Sequence, residues 1–419
     1  MIKRIMIAVI SILIVFFFVG CAKKQQKVLK IWHYESDNGA MGKAWAAAME
    51  KFEETHPDVT IEFERKGFEQ MRQTAQMVLN SDEAPDVMEY NKGNASAGML
   101  SKQGLLTDLT AVAKKKGWDK ILSPSLQTTC RYSSDGIMGS GNWYGVTNYG
   151  EYVMVYYNKE MFAKLNLKVP TTIDEFEAVM GAFKKPGITP LTVAGAEYPA
   201  QQVFYELALH KADRDLINAY ELYTKDIDFK NEAFMYGAKK MKEWVDKGYI
   251  DKNAVSLKAE DMGLAFTNQK SPILISGSWW YGRFVSEISF DWGIFLFPGN
   301  KFHPGSGGNI WVVPSKSKNK ELAYEFIDIT MSPEIQSILG KEGGIPVNAD
   351  ISMINDPKLK ELITNFDTIV KTDGLAFYPD WPAAGFYDTL VAGVQELMSG
   401  VKSPEKFLES IGASYYENK

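Results

Sequence analysis

Hydrophobic and polar positions alternate with two different periods along the chain. Residues 28–31 predict a first strand, and apolar residues at helical spacing from Met41 to Phe52 predict a helix that ends before Pro57. Further segments of the same kind follow as a strand at 59–63, a helix at 71–79 and a strand at 85–88. This β-α-β-α-β order is typical of an α/β fold, for which we expect mostly parallel sheets.

The same kind of pattern returns in the second half of the chain. It predicts a strand at 152–157, a buried strand at 272–276 and a helix that stops at Gly248. Thr172 with Glu175 forms a capping-box pattern. Ser-Pro pairs at 332–333 and 403–404 are typical of a helix N-cap followed by proline at the first helical position. The chain therefore reads as two α/β lobes without a flexible linker.

The N-terminal segment has the pattern of an export signal. Lys3 and Arg4 precede an apolar run at 5–19 that is short for a membrane span and has the length of a signal-peptide core. An uncleaved membrane anchor is the alternative. Either reading places the rest of the chain outside the cytoplasmic membrane.

Gly20 directly before Cys21, at the end of this apolar run, resembles the lipobox of bacterial lipoproteins. The resemblance implies a signal peptide at 1–20, lipid modification of Cys21 and a lipid-anchored tether at 21–29. Phe18 departs from the family's pattern, because an aliphatic residue usually stands three positions before the cysteine.

Composition excludes several classes of protein. The chain has 419 residues, of which 45% are hydrophobic and 23% charged, as in a folded protein rather than a disordered one. A net charge of -6 argues against a nucleic-acid binder, which must neutralise phosphates. Two cysteines and four histidines exclude a disulfide framework and a cysteine-rich zinc site. We expect Cys130 to be a buried or half-buried apolar residue.

Several segments, in order and spacing, resemble the extracellular solute-binding proteins of ABC sugar importers, in the branch that includes maltose-binding protein. The resemblance covers nearly all of the chain after the signal peptide. The segments that carry it are 45–63, 84–87 (Ala-Pro-Asp-Val), 104–109, 143–146, 156–162, 169–176, 275–280, 316–323 and 344–347.

This resemblance implies a two-lobed fold of the type II periplasmic-binding-protein class. The lobes would exchange chain three times, with the first lobe at 30–148 and 291–330 and the second at 150–290 and 331–419. The implied function is a lipid-anchored, monomeric binding subunit without a cofactor. It would capture a mono- or oligosaccharide by lobe closure and deliver it to membrane permease subunits, with energy from a separate cytoplasmic ATPase.

Sugar binding requires aromatic faces for the C–H face of a pyranose ring and planar polar groups for its hydroxyls. Aromatic residues make up 13% of the chain, and several stand beside polar residues where predicted strands end. Two adjacent tryptophans after a buried strand are the strongest signal, because both cannot face one core. The candidate ligand-binding residues are His33, Tyr34, Glu35, Asn91, Asn94, Asn148, Tyr149, Glu197, Trp279, Trp280, Arg283, Asn309, Asp380 and Trp381.

Three alternatives remain open on the residues alone. The ligand could be a peptide or a polyamine rather than a sugar. A secreted glycoside hydrolase would need two facing carboxylates, for which Glu35 with Glu197 or Asp380 are candidates. A surface adhesin is the third. The sequence contains no nucleophile elbow, zinc-protease motif or phosphate loop, so we expect a binding protein rather than an enzyme.

Overall fold

The computed structural model describes residues 27–349, 352 and 354–419. The predicted signal peptide, the lipidation site Cys21 and the first part of the predicted tether lie outside the described residues. The first strand begins at Lys27, inside the range predicted as tether.

The strands, in chain order, are β1 (Lys27–His33), β2 (Val59–Arg65), β3 (Val87–Tyr90), β4 (Arg131–Tyr132), β5 (Asn142–Trp143), β6 (Val146–Thr147), β7 (Tyr149–Asn158), β8 (Leu191–Thr192), β9 (Ile273–Gly277), β10 (Trp292–Phe295), β11 (Gly305–Gly307), β12 (Ile310–Val312) and β13 (Ile345–Pro346).

The α-helices are α1 (Ala40–Thr55), α2 (Phe68–Leu79), α3 (Met99–Lys102), α4 (Thr110–Lys116), α5 (Trp118–Ile121), α6 (Pro124–Gln127), α7 (Lys159–Lys164), α8 (Ile173–Phe183), α9 (Ala200–Leu209), α10 (Arg214–Leu222), α11 (Glu232–Asp246), α12 (Ala259–Thr267), α13 (Tyr281–Glu287), α14 (Lys320–Thr330), α15 (Pro333–Lys341), α16 (Pro357–Lys371), α17 (Phe386–Ser399) and α18 (Pro404–Asn418). A π-helical turn spans Asn94–Gly98, and 3₁₀ turns span Thr128–Cys130, Lys252–Ser256 and Ser278–Trp280.

The first lobe is built on a sheet with the strand order β2-β1-β3-β12-β6. Strand β1 runs parallel to β2 and β3, and Ile31 lies opposite Phe63 on one side and Val87 on the other. Strand β12 is antiparallel to β3 and β6, because it enters from the other lobe. Helix α1 covers this sheet together with α14 and α15.

The second lobe is built on a sheet with the order β10-β7-β9-β8, to which β11 and β13 add by pairing with β7. Strand β7 is antiparallel to β9, β10, β11 and β13, and β8 with β9 is the parallel pair of this sheet. The expectation of mostly parallel sheets is therefore wrong here, because the chain enters this lobe by crossing strands rather than by successive β-α-β units. The α/β class and the two-lobed architecture are confirmed.

The chain passes between the two sheets three times. It leaves the first sheet between β6 and β7, returns between β11 and β12, and leaves again between α15 and β13. Both later crossings come after the predicted positions of 291 and 331. Strand β10 pairs with β7 in the second sheet, and α15 packs on α1 in the first lobe.

Local signals in the sequence are realised at several helix starts. The Thr172 hydroxyl accepts a hydrogen bond from the Glu175 backbone N–H at 3.2 Å. Ser332 and Ser403 are N-caps followed by proline, as expected. Cys130 is a buried free thiol. Among the described residues, no helix combines the length and the apolar content that crossing a membrane requires.

Candidate functional site

A cleft with a cavity of about 280 Å³ lies between the two lobes. The first lobe contributes residues that follow β1 and β3, and the crossing strands form the floor. The second lobe contributes the starts of α9 and α13 and the loop before α17. The lining residues are Tyr34, Glu35, Ser36, Gly39, Phe68, Asn91, Lys92, Tyr149, Glu151, Tyr198, Gln201, Gln202, Glu260, Trp279, Trp280, Arg283, Asn309, Tyr378, Asp380, Trp381 and Tyr387.

A buried ion pair ties the crossing strands together at the floor of the cleft. The Lys92 ammonium donates to Glu151 Oε1, and it also donates to Asn309 Oδ1 at 3.1 Å. Lys92 is 2% exposed and Glu151 5% exposed. Burial raises the pKa of Glu151, while the charge of Lys92 acts in the opposite direction. The three residues come from the end of β3, from β7 and from the β11–β12 connection, so the ion pair joins the segments about which the lobes would move.

Two carboxyl groups, Glu35 and Glu89, lie close enough beside this ion pair to influence each other's pKa, and neither Glu89 oxygen has a hydrogen-bond partner among the described residues. Tyr149 donates its hydroxyl to Glu35 Oε1 at 3.3 Å. Glu89 lies on β3 and is 1% exposed. Burial raises the pKa of Glu35 to about 7, and burial followed by the charge of Glu35 raises the pKa of Glu89 well above its usual range. Two neighbouring carboxylates repel each other, which adds to the effect of burial on both pKa values.

Aromatic rings form the wall on the second lobe. Trp279 lies between Tyr198 and Tyr378, with 6.1 Å between ring centroids on each side. Trp381 lies 5.0 Å from Tyr378. Gly277 makes this arrangement possible, because a Cβ there would lie 1.9 Å from the Trp279 ring.

The two adjacent tryptophans have different environments, as the sequence suggested. Trp279 is half-buried and presents its ring to the cleft. Trp280 is 6% exposed and stacks on Phe284 at 5.4 Å, with the Arg283 guanidinium over its ring at 5.0 Å. Trp279 is therefore the member of the pair that is free to stack on a ligand.

Several buried polar atoms at the cavity have no hydrogen-bond partner among the described residues. Gln201 is 0% exposed, and neither its amide nitrogen nor its amide oxygen is paired. The Gln202 amide oxygen, the Tyr34 hydroxyl and the Trp280 indole nitrogen are unpaired as well. Buried polar groups are nearly always hydrogen-bonded, and an unpaired one costs about 1–3 kcal/mol. These side chains are therefore placed to bind a polar ligand.

The remaining charged groups of the cleft are Arg283, which is hydrogen-bonded to carboxylates, and Asp380, which is half-buried. Arg283 donates to both carboxylate oxygens of Glu260, at 2.7 and 2.5 Å, and to Glu287 at 2.8 Å. These carboxylates raise the pKa of Arg283, and its fork of donors is occupied. Asp380 lies on the second lobe, where burial raises its pKa to about 6.

The lobes also contact each other around the rim of the cleft. Arg72 on α2 donates to both carboxylate oxygens of Asp388 on α17, at 3.1 and 2.8 Å. The Ala95 backbone N–H donates to the Trp381 carbonyl at 2.9 Å. Next to it, Gly93 has φ 95°, and a Cβ there would lie 2.5 Å from the Trp381 Cβ. Only glycine allows this close approach of the two lobes.

The structure brings most of the predicted site residues together. Those that line the cavity are Tyr34, Glu35, Asn91, Tyr149, Trp279, Trp280, Arg283, Asn309, Asp380 and Trp381. Their contacts with a ligand stay a prediction.

His33 and Asn94, which the sequence predicted as ligand-binding residues, do not line the cavity. His33 is 2% exposed and stacks on Phe63 at 4.5 Å, because its position on β1 faces the packed side of the sheet. The Asn94 side chain donates to the Glu221 carbonyl at 3.0 Å and accepts from the Met138 backbone N–H at 2.8 Å. The Asn94 side chain therefore links helix α10 to the loop between β4 and β5.

Asn148 and Glu197 are also placed elsewhere than predicted. Asn148 is 1% exposed and donates to the Thr330 hydroxyl at 3.0 Å, beneath the crossing strands. Glu197 accepts from the Ala259 backbone N–H at 2.8 Å, at the first turn of α12. Helix N-termini attract carboxylates in this way, so Glu197 has a structural partner.

The residue-by-residue prediction missed several residues of the cleft. Glu151 had a signal, because it is a lone acid in an otherwise apolar strand. Gln201 and Gln202 lie on the first turn of α9, where polar residues usually face solvent, and Phe68 at the start of α2 gave no signal. The other missed lining residues are Ser36, Gly39, Lys92, Tyr198, Glu260, Tyr378 and Tyr387.

The chain matches one family of known proteins and is similar to several of its members. The family profile described as "Bacterial extracellular solute-binding protein" matches residues 47–365. A Rhizobium meliloti protein named "Probable sugar-binding periplasmic protein" is 27% identical over 270 residues, which are 60% of this chain and 60% of that protein. The chain thus spans about three fifths of the length of that relative. The diacetylchitobiose binding protein DasA of Streptomyces coelicolor is 23% identical over 338 residues, 78% of this chain and 75% of that protein.

Solved structures share the fold. The GacH receptor of Streptomyces glaucescens, whose structures include a complex with acarbose, aligns with a TM-score of 0.76 and 21% identity over 94% of this chain and 98% of its own. A chitin oligosaccharide binding protein aligns with a TM-score of 0.77 and 20% identity, over 93% and 98% of the two chains.

Proposed function

The chain belongs to the bacterial extracellular solute-binding proteins, and we propose from this premise that it binds a mono- or oligosaccharide in the cleft between its lobes. The relatives' names support a sugar ligand. The observation that carries the proposal is the combination of the aromatic rings packed around Trp279 with the unpaired amide and hydroxyl groups of Gln201, Gln202 and Tyr34.

These two kinds of group match the two kinds of surface on a sugar. The Trp279 ring offers a flat apolar face to the C–H side of a pyranose. Gln201 offers the N–H donors of its amide nitrogen and the acceptor of its amide oxygen from a fully buried position, and Gln202 adds an acceptor. A sugar with a misplaced hydroxyl would leave these groups unpaired, which gives the site its selectivity.

Binding would couple to closure of the lobes. Gln201 and Trp279 belong to the second lobe, Tyr34 and Asn91 to the first, and a ligand that contacts both favours the closed form. The Arg72–Asp388 ion pair and the Ala95–Trp381 hydrogen bond join the lobes at the rim. Each contact can form only when the lobes are together.

The wider setting follows from the family and from the N-terminal sequence. Lipid on Cys21 would anchor the protein outside the cytoplasmic membrane. The closed form would deliver the sugar to ABC permease subunits, which a cytoplasmic ATPase drives. We infer a binding function without turnover, so a bound oligosaccharide incubated overnight is expected to be recovered intact by chromatography. Cleavage of the oligosaccharide would contradict this inference.

Thermal shift with a saccharide panel tests the proposed function. The panel contains mono-, di- and trisaccharides, and peptides and polyamines are tested in parallel as alternative ligands. A bound ligand stabilises the folded state by mass action, so at 100 times its Kd we expect about 2.7 kcal/mol of stabilisation. At the same ligand concentration the stabilisation should fall to about 0.4–1.4 kcal/mol in Trp279→Ala, for binding that is 10- to 100-fold weaker. No shift with any saccharide, together with a shift with a peptide or a polyamine, would contradict the sugar assignment.

A further inference from the structure

The cleft carries more negative than positive charge. Its lining carboxylates are Glu35, Glu151, Glu260 and Asp380, and its lining cations are Lys92 and Arg283. Glu89 on β3, which is 1% exposed and close enough to Glu35 to influence its pKa, adds a further acid. Buried carboxylates are costly unless positive groups pair with them. Lining carboxylates that have no cationic partner in the protein therefore indicate which ligand charge the cleft prefers.

Both cations are already engaged by particular acids. Lys92 donates to Glu151 and Asn309, and Arg283 donates to Glu260 and Glu287. Neither cation donates to Glu35 or Asp380. A ligand carboxylate would therefore meet no free cationic side chain on the lining of this cavity.

Like Asp380, Glu35 lines the ligand space and accepts a hydrogen bond from neither cation. The groups around it are Glu89 from β3, Glu151 and Tyr149 from β7, and Tyr34 beside it on the chain. The Tyr149 hydroxyl donates to one Glu35 oxygen. No three His, Cys, Asp or Glu side chains among the described residues are arranged to hold a metal ion.

Independent features point to an organic ligand at the same place. The fully buried Gln201 presents an unpaired amide to the cavity, and the Tyr34 hydroxyl next to Glu35 is unpaired as well. The rings of Trp279 and Tyr378 lie across the cleft, and aromatic faces attract organic cations. Negative charge, aromatic faces and hydroxyl-binding groups together describe a site for a sugar that carries an amine.

We propose that the cleft selects saccharides that bear a protonated amine and rejects those that bear a carboxylate, with Glu35, backed by Glu89, as the charge-selecting group. This proposal rests on the proposed function and specifies its ligand class. A ligand ammonium would take the place of the missing cation beside Glu35. A ligand carboxylate would face like charges in a partly water-excluded site, where repulsion is strong.

Matched ligands that differ in one group test the proposal. The gluco series is glucosamine, glucose and glucuronate with the corresponding β-1,4-linked disaccharides, and the galacto series is galactosamine, galactose and galacturonate. Titration calorimetry on the full chain in mild detergent at pH 7.5 gives each Kd. We expect the amine to bind at least 10-fold more tightly than the neutral sugar of the same series, and the carboxylate at least 100-fold more weakly.

The Glu35→Gln variant tests whether Glu35 is the charge-selecting group. We expect the preference for the amine over the neutral sugar to fall about 10-fold in this variant. A merely structural role for Glu35 would weaken all three ligands equally. Glu417→Gln, an exposed change in the last helix, is the matched control and should leave all ratios unchanged.

The outcomes separate this proposal from the proposed function. Neutral or acidic sugars that bind as tightly as the amine would overturn the charge selection and leave the sugar assignment standing. Binding of spermidine with no binding of any saccharide would contradict the proposed function, and this proposal with it. The wild-type ratios alone decide the charge selection if Glu35→Gln does not fold.

Discussion

Replacing Lys92 with methionine is the most informative single change in this protein. Methionine keeps most of the length and the apolar stem of the lysine side chain. It removes the ammonium, which lies 5.6 and 5.1 Å from the ring centroids of Tyr378 and Trp381. The change leaves Glu151, which is 5% exposed, without its cation. Removal of one partner of a buried pair costs about 3–5 kcal/mol of unfolding free energy, because a buried charge remains uncompensated.

The pH dependence of this cost follows from protonation of Glu151. Burial already raises its pKa above the usual 4.5, and loss of Lys92 raises the pKa further. An acid with a raised folded-state pKa stabilises the fold below its unfolded pKa, and that contribution is lost as pH rises through the folded pKa. At pH 5, neutralising Glu151 costs under about 1 kcal/mol, whereas at pH 8 it costs up to about 5 kcal/mol.

Urea unfolding at pH 5 and at pH 8 measures the effect. We expect Lys92→Met to lower the unfolding free energy by about 3–5 kcal/mol at pH 8. At pH 5 we expect about 1–2 kcal/mol, because the cost of losing the Lys92 hydrogen bonds remains even when Glu151 is protonated. The double variant Lys92→Met/Glu151→Gln should be more stable at pH 8 than Lys92→Met alone. Equal destabilisation at both pH values, or no recovery in the double variant, would refute the reasoning.

Three further changes test the cleft. Trp279→Ala should weaken binding of a panel saccharide about 10- to 100-fold by calorimetry with an unchanged circular dichroism spectrum, and an unchanged Kd would remove Trp279 from the site. Gly93→Ala should hold the lobes apart, because the new Cβ would clash with Trp381; an unchanged radius of gyration in small-angle scattering with ligand would argue against this. Arg72→Gln removes the ion pair to Asp388 and should weaken binding about 2- to 5-fold, consistent with an exposed pair, while a 100-fold loss would require another role.

Much of the fold could be predicted because local signals agree with the final packing. Helix α1 follows from apolar spacing that ends before Pro57, and α15 and α18 begin at Ser-Pro pairs. The sheet to which a short strand belongs has no such local signal. The sequence of β10 is compatible with the sheet of either lobe, and only its pairing with β7 assigns it to the second lobe.

The candidate site could be predicted where residues follow a strand and not where they depend on side-chain direction. Glu35 and Trp279 come after strands that end at the cleft, so their positions were predictable. His33 is two residues from Glu35 and faces the packed side of the sheet instead. Gln201 faces the cleft only because of the way in which helix α9 packs, and no single sequence pattern reveals that packing.

Calorimetric titration of the full chain with the saccharide panel, repeated on Gln201→Leu, tests the central claim most directly. A sugar bound in the cleft would pair the buried Gln201 amide, so we predict saturable binding to the wild type with one site per chain. The variant should lose at least 10-fold in affinity while becoming no less stable without ligand, because an unpaired buried amide is replaced by an apolar group. Equal affinities in the two proteins, or no heat with any saccharide, would contradict sugar binding in this cleft.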